Sequence, residues 1–376
     1  MNYTPDPIDR RLLNTVQGDF PMVAQPYAKL GEKLKLTEEE VLTRIRNLKK
    51  VSLIRNIGAI FDTRRLGYKT ELVAMRVDPS RLDEAAKIVN KHPGVSHNYE
   101  RSHAFNLWFT IAVPPHQDLN RVVTRLGELA KAESVRPLPT LKLFKIGVKL
   151  DLEGDGAEVI SAKRAANTVG EPRPPAMLAR REDGKTIFPD GKSPQAHKLS
   201  EKEIASIRIL QADLPLLSRP FSESASSIGL TEEELLSQAE LFQQQGLLRR
   251  FAAVLYHRNA GFTANGMGVW KVSQEKMQEI GLKASGFPQV SHCYERPTYP
   301  DWPYSLFTMV HTRTVEECEK LIREISETIG VSDYLVLYST KEYKKVRIKY
   351  FSEEFDAWEK EFMTGGVAEG KRSVLH

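Results

Sequence analysis

Two rhythms of apolar and polar positions alternate along the chain, and the alternation then repeats. Ile8, Leu12, Leu13 and Val16 recur at helical spacing. Residues 26–34 read as a second helix and 37–50 as a third, whose inward face is Val41, Ile45 and Leu48. Thr37 with Glu40 three residues on is a capping box, which satisfies otherwise orphaned amides where that third helix begins. A tight turn at Lys35-Leu36 joins the two helices, so the segment predicts a helix-turn-helix, with the β-rich residues 54–61 in the place of a wing. The rhythm then becomes strand, helix, strand, strand, helix, strand, at 70–77, 80–91, 95–102, 106–113, 117–131 and 135–146. That βαββαβ order packs as a ferredoxin-like sandwich, four antiparallel strands with two helices on one face.

Everything after residue 200 restates this plan. Gln17-Gly18-Asp19-Phe20-Pro21 returns as Gln211-Ala212-Asp213-Leu214-Pro215, and Thr37-Glu38-Glu39-Glu40 returns as Thr231-Glu232-Glu233-Glu234 at the same displacement. Val95-Ser96-His97-Asn98-Tyr99-Glu100-Arg101 becomes Val290-Ser291-His292-Cys293-Tyr294-Glu295-Arg296, one further residue along. A drift of one residue over a whole unit marks a tandem duplication. The second βαββαβ set is expected at 266–272, 274–284, 290–296, 304–310, 314–327 and 331–338. The fold class is α+β, and the domains are read as helix-turn-helix 1–62, ferredoxin-like 63–150, linker 151–199, helix-turn-helix 200–257, ferredoxin-like 258–350 and a tail 351–376. Alternating prolines, glycines and charges make 151–199 a connector, with a short helix expected near 158–167.

Composition adds boundaries. No apolar run reaches membrane-spanning length, and the first residues lack the basic start and apolar stretch of a secretory signal. Cys293 and Cys318 are the only cysteines, which argues against a disulfide framework or cysteine metal cage and points to the cytoplasm. The net charge of +5 suits either nucleic acid or a small polyanion, so it does not decide the partner.

A helix-turn-helix followed by this sandwich resembles the Lrp/AsnC family of transcription regulators. Reading DNA needs basic and amide side chains on the recognition helix. In the first copy Arg44, Arg46, Lys49 and Lys50 would serve; in the second, residues 231–245 hold no Lys or Arg and carry Glu232, Glu233, Glu234 and Glu240. A helix with that charge repels a phosphate backbone. DNA binding is therefore not expected.

Three local patterns are similar to a narrower group of that superfamily, the siroheme decarboxylases. They are the Val-Ser-His-X-Tyr-Glu-Arg strand in both copies; Ile54-Arg55-Asn56-Ile57-Gly58-Ala59-Ile60-Phe61-Asp62 followed by Leu66-Gly67-Tyr68, with its counterpart Leu248-Arg249-Arg250-Phe251-Ala252-Ala253-Val254-Leu255-Tyr256-His257-Arg258 followed by Gly261-Phe262-Thr263-Ala264-Asn265; and the stretches Phe105-Asn106-Leu107-Trp108-Phe109 and Tyr304-Ser305-Leu306-Phe307-Thr308. The chain looks like the fused form, with a NirD-like first half and a NirL-like second half. The resemblance implies conversion of siroheme to 12,18-didecarboxysiroheme by loss of CO2 from two acetate arms, in heme d1 or alternative heme biosynthesis. It implies a carboxy-lyase whose siroheme is bound as substrate, with no other cofactor required and no metal site of its own.

Such chemistry needs cations to hold carboxylates and a proton donor for the methylene that CO2 leaves behind. Alternate residues of a strand share a face, so His97, Tyr99 and Arg101 form one row and His292, Tyr294 and Arg296 another. His292 and His97 are the candidate general acids, Arg296 and Arg101 the carboxylate holders, and Tyr294 and Tyr99 stacking or hydrogen-bonding partners. Arg249, Arg250, His257 and Arg258 form a further basic set, echoed in the first copy by Arg55, Arg64 and Arg65; the first copy has no match for His257, so the second copy is expected to dominate the site. His103 and His311 are spare candidates for a proton relay or iron ligand. Trp108, Phe109, Trp302 and Phe307 are read as core, and the basic run 341–349 as a solvated face.

On this reading the two copies pack their sheets together as an intramolecular pseudo-dimer that binds siroheme and didecarboxysiroheme. Other heme d1 biosynthesis proteins are partner candidates, and the resemblance leaves room for a further homo-oligomer. Two rivals remain: an Lrp/AsnC-type regulator sensing a small ligand, and a heme-binding protein without catalysis.

Overall fold

The computed structural model describes residues 3–18, 20–146, 149–151, 158–160, 179–180, 186–187, 198–255 and 264–363. The first copy runs α1 (Pro7–Gly18), α2 (Pro26–Leu34), α3 (Glu38–Lys50), β1 (Ile54–Phe61), β2 (Lys69–Arg76), α4 (Leu82–Asn90), β3 (Val95–Arg101), β4 (Leu107–Val113), α5 (Leu119–Leu129), β5 (Ser134–Leu138) and β6 (Lys142–Ile146). The connector holds four short strands, β7 (Lys149–Asp151), β8 (Glu158–Ile160), β9 (Ala179–Arg180) and β10 (Thr186–Ile187). The second copy continues as α6 (Glu201–Leu210), α7 (Ser222–Ser226), α8 (Glu232–Gln244), β11 (Leu248–Leu255), β12 (Ala264–Trp270), α9 (Met277–Ser285), β13 (Val290–Glu295), β14 (Leu306–Thr312), α10 (Val315–Ile329), β15 (Tyr334–Lys345) and α11 (Glu354–Phe362).

The two helix-turn-helix copies make one compact unit and the two α/β copies another. In the first unit, both recognition-type helices begin with the complete capping box, at Thr37/Glu40 and Thr231/Glu234. Lys35 closes α2 in the left-handed conformation, φ 60°, which makes the sharp turn into α3. β1 is not a free wing. It pairs antiparallel with β11 of the other copy, Gly58 opposite Ala252, because both strands carry apolar faces that need a partner. The repeated Gln-X-Asp-X-Pro stretch clasps this ribbon: Asp213 accepts from the Ile57 amide at 2.9 Å and pairs with Lys49 at 2.7 Å, while the Leu214 amide donates to the Ile57 carbonyl. Chain and ribbon approach so closely that a Cβ on Gly58 would lie 2.6 Å from the Ala212 carbonyl oxygen.

In the α/β unit each copy forms the expected sheet, β5-β2-β4-β3 and β15-β12-β14-β13, in the ferredoxin-like order. One apolar face of each sheet is covered by its own two helices: α4 and α5 over Val73, Met75, Phe109 and Ile111, and α9 and α10 over Trp270, Cys293, Leu306 and Val310. The opposite faces share a third core of Ala74, Phe105, Trp108, Leu138, Met267, Val269, Trp302, Phe307 and Leu337, drawn from both copies. Trp108, Phe109, Trp302 and Phe307 are thus core residues, Phe109 on the helix side.

Each copy's last strand then crosses to the other copy. The expected single strand 135–146 is two: β5 pairs with β2 of its own copy, and after a break at Pro139 β6 pairs with β13 of the other. Reciprocally, β15 pairs with β12 through Tyr334–Tyr338 and with β3 of the first copy through Ser339–Lys345. The basic run expected to face solvent is therefore partly strand: Lys341 pairs with Asp83 at 2.6 Å, and Lys344 donates to the Asn90 carbonyl at 2.7 Å.

Two more expectations are corrected. Glu158–Ile160, placed at the start of a short helix, is extended, and residues 161–167 of that expectation lie outside the described residues. The tail contains α11, whose Phe355 and Trp358 are buried on the α4–α5 layer, with Trp358 4.4 Å from the ring of His92. Among the described residues no helix is long and apolar enough to cross a membrane, and Cys293 and Cys318 are both free and buried.

Candidate active site

Both His-X-Tyr-Glu-Arg strands contain the same irregularity. In β13 the register passes from Val290↔Val310 to His292↔Met309, leaving Ser291 as a bulge; in β3 it passes from Val95↔Ile111 to His97↔Thr110, leaving Ser96. The extra residue changes the phase of the strand. Val290 and Cys293 can then both face the helices while His292 and Tyr294 take the opposite face, toward the core shared by the sheets.

The rows therefore exist. His292 and Tyr294 have ring centroids 6.0 Å apart at 28°, and the Arg296 guanidinium lies 5.0 Å from Tyr294 and 5.4 Å from Phe307. In the first copy His97 and Tyr99 are 6.2 Å apart at 31°, with Arg101 5.9 Å from both Tyr99 and Trp108. The arginines, expected as carboxylate holders, are engaged within the protein. Both are buried, and each donates from Nη1 to a carbonyl of the other copy: Arg101 to Leu337 of the crossing strand β15 at 2.7 Å, Arg296 to Leu138 at the end of β5. Burial lowers the Arg101 pKa to about 10, so it stays charged at neutral pH. Part of each guanidinium fork is thereby committed to holding the two copies together.

The imidazoles are set by the bulged serines. Ser96 Oγ lies 3.0 Å from His97 Nδ1, and Ser291 Oγ lies 2.8 Å from His292 Nδ1. From there the copies diverge. In the second, Ser291 Oγ also meets His311 Nε2 at 2.7 Å, and His311 Nδ1 meets Asn265 Oδ1 at 2.6 Å. The matching first-copy pair is Ala112 opposite Thr70, which cannot extend the chain in this way. Burial first, then the positive charges of Arg296 and Lys145, lowers the His292 pKa to about 4, so it is neutral at neutral pH.

The remaining candidates are not part of either row. Arg55, Arg249 and Arg250 lie on the β1–β11 ribbon of the other compact unit. Its register does not gather them: Ile54 faces Leu255 while Ile60 faces Arg250, so Arg55 and Arg250 sit at opposite ends. His257 and Arg258 lie outside the described residues. His103 caps its own loop, accepting from the Phe105 amide at 3.0 Å and packing edge-on to Trp302 at 5.4 Å. His116, Asp356 and Glu359 come together at the surface, with His116 Nε2 3.3 Å from Asp356 Oδ1.

Sequence reasoning misses Asn265 and Ser291 as parts of the site. Asn265 ends the second of the similar patterns but has no role assigned there, and Ser291 is visible inside the repeated strand but reads as a face-alternation filler until the bulge is seen. The recognition helices also change their aspect. Arg44 of α3 is held by Asp6 and Asp9 at 2.8 Å each and Lys49 by Asp213, while Glu232 of α8 is buried against Arg219.

Comparisons with known proteins agree with this architecture. A family model described as the AsnC-like ligand binding domain matches residues 65–145 and 259–344, and one described as the siroheme decarboxylase NirDL-like HTH domain matches 9–55 and 202–249. A siroheme decarboxylase from Hydrogenobacter thermophilus is 40% identical over 94% of this chain and 98% of its own length. A siroheme decarboxylase beta subunit from Methanosarcina barkeri is 42% identical over 40% of this chain and 99% of its own length. Among solved structures, siroheme decarboxylase NirDL in complex with an iron-uroporphyrin III analogue superposes with a TM-score of 0.72 at 35% identity, covering 95% of this chain and 98% of that one. Both copies, their order and their spacing being matched over almost the whole length, the chain belongs to the siroheme decarboxylase family.

Proposed function

We propose that this chain decarboxylates two acetate arms of siroheme, giving 12,18-didecarboxysiroheme, and that the His292–Tyr294–Arg296 row of the second copy is the reacting site. The observation that carries the assignment is the hydrogen-bonded chain behind His292, in which His311 stands where the first copy has Ala112. Each event converts R–CH2–COO⁻ and one proton into R–CH3 and CO2. The electron pair of the breaking C–C bond passes into the conjugated macrocycle and is then protonated at the methylene carbon. No electron is gained or lost overall, so a carboxy-lyase acting without a separate redox cofactor is sufficient.

The residues of this chain contribute three things. The aromatic face of Tyr294 offers a stacking surface for a planar ring. Arg296, 5.0 Å from that ring, supplies positive charge toward a bound carboxylate. His292 delivers the proton, and its burial disfavours a hydrated carboxylate beside it, which raises the acetate's energy before CO2 leaves. His97, Tyr99 and Arg101 hold the matching surface of the first copy. The reaction belongs in the cytoplasm, where reduced cysteines and the iron tetrapyrrole precursor coexist.

The test is anaerobic incubation of the purified full chain with siroheme, followed by mass spectrometry of the extracted tetrapyrrole. Loss of two CO2 units in the native protein and none in His292→Ala is the expected result. Binding with unchanged mass in the native protein would favour the non-catalytic heme-binding reading, and full activity in His292→Ala would move the reaction away from this row.

A further inference from the structure

The first-copy and second-copy rows share a serine, an imidazole, a tyrosine and an arginine, yet behind the serine the second copy places a histidine and the first an alanine. We propose that His311 is a positioning residue for decarboxylation, feeding a proton through Ser291 to the rear nitrogen of His292 as the front nitrogen gives one up. This rests on His292 being the proton donor proposed above.

Ser291 Oγ also donates to the Met309 carbonyl at 3.3 Å, the longest of its three contacts, and the two shorter ones define the line. Asn265 Oδ1 accepts, so His311 Nδ1 carries a hydrogen, at 2.6 Å. His311 Nε2, Ser291 Oγ and His292 Nδ1 then form an unbroken line with steps of 2.7 Å and 2.8 Å, inside the range where a hydroxyl can accept and donate at once. The bulge makes the line possible, since a residue in regular register would turn the Ser291 hydroxyl away from its own neighbour. Strand pairing fixes the far end, because Asn265 and His311 are directly opposite on β12 and β14.

A neutral imidazole is a poor acid alone, because losing its Nε2 hydrogen would leave an imidazolate. It becomes a workable acid if a hydrogen arrives at Nδ1 in the same event. With His311 doubly protonated, the balance is complete: His292 Nε2–H passes to the methylene carbon, Ser291 Oγ–H to His292 Nδ1, and His311 Nε2–H to Ser291 Oγ. His311 ends neutral, its charge having cancelled the one created when CO2 left. After the product departs, solvent returns a proton to His292 Nε2 and the chain runs backward, recharging His311. The groups facing His292 are Tyr294 and Arg296 on its own strand, Lys145 on β6, and His311 through Ser291 from β14. The two fixed cations disfavour a standing charge on His292 itself, so the proton is stored one residue further back.

The experiment compares native protein, His311→Gln, His311→Ala and His292→Ala under anaerobic single turnover with siroheme, in mixtures of light and heavy water. Gln at position 311 keeps a side chain able to hydrogen-bond Ser291 and guards against simple loss of packing. The expected result is a bowed proton inventory in the native protein, a straight one in His311→Gln, a rate reduced about ten- to a hundred-fold, and unchanged siroheme binding. A native rate with a native, bowed inventory in His311→Gln would overturn the proposal while His292→Ala remained inactive. An active His292→Ala would instead bring down the reading on which it rests, so the two failures are separable.

Discussion

Arg101 Nη1 donates to the carbonyl oxygen of Leu337 at 2.7 Å, joining the functional strand of one copy to the crossing strand of the other. Its counterpart Arg296 reaches the other copy too, at the Leu138 carbonyl that ends β5, just before the chain crosses as β6. The bond shows how duplication and chemistry are coupled here. Each row is complete only where the partner copy's last strand passes beside it, so the arginine that belongs to the site also locks the crossover. Replacing Arg101 with Met should lower stability by about 1.5–3 kcal/mol, the usual value of a buried charged hydrogen bond, read as a shift in the urea midpoint. A midpoint shift near zero would mean that the crossover is held by its strand ladder alone.

His292→Ala should bind siroheme with near-native affinity and lose about 10²- to 10⁴-fold in single-turnover rate, the ordinary contribution of a positioned acid. His97→Ala, in the row with Ala112 in the place of His311, should lose far less. Rate constants from quenched time courses decide between them; equal losses would give both rows a place in the reaction.

Stability should fall on mild acidification, and His92 is the main cause. Burial first, and Lys344 second, lowers its pKa to about 3, against 6.5 in an unfolded chain. Between those values the unfolded chain takes up a proton that the folded one refuses, so stability is complete above about 6.5 and declines as pH falls toward 3. His292, lowered to about 4, adds a slope of the same sign. His92→Gln should flatten the dependence of the urea midpoint between pH 7 and 5, and an unchanged slope would assign the effect elsewhere.

Trp358→Ala should cost about 3–5 kcal/mol, the range for removing a large buried aromatic, because α11 seals the apolar layer over α4 and α5. The same variant should raise hydrogen exchange along α4. Loss of stability without exchange at α4 would show that the helix is not a lid over that layer.

A duplex DNA titration by fluorescence anisotropy should show no sequence-dependent binding at physiological salt. Arg44 and Lys49 are already paired within the protein, and α8 presents Glu233, Glu234 and Glu240 where a phosphate would lie. Nanomolar, site-specific binding would restore the regulator reading.

Much of this is legible in the chain itself. The capping boxes at Thr37 and Thr231 and the inward stripe Val41, Ile45 and Leu48 mark the helix-turn-helix locally, since caps and periodicity act over one or two turns. The α11 helix is equally visible in Phe355, Trp358 and Phe362, spaced for one helical face, but reads as a tail because it lies beyond the last repeated element. The rows can be read from period-two alternation, because the bulges lie before the histidines and leave the phase of the remaining strand intact.

The sequence alone therefore determined whatever depends on near neighbours: the duplication, the element order, the capped helices and the grouping of His, Tyr and Arg on one strand face. Tertiary structure decided the rest. That the last strands cross to the other copy, that Arg101 and Arg296 face carbonyls of the opposite half, and that His311 stands behind His292 while Ala112 holds the matching place in the first copy, all depend on pairings between residues far apart in the chain. Such pairings are set by which apolar faces can be buried together, and no local pattern encodes them.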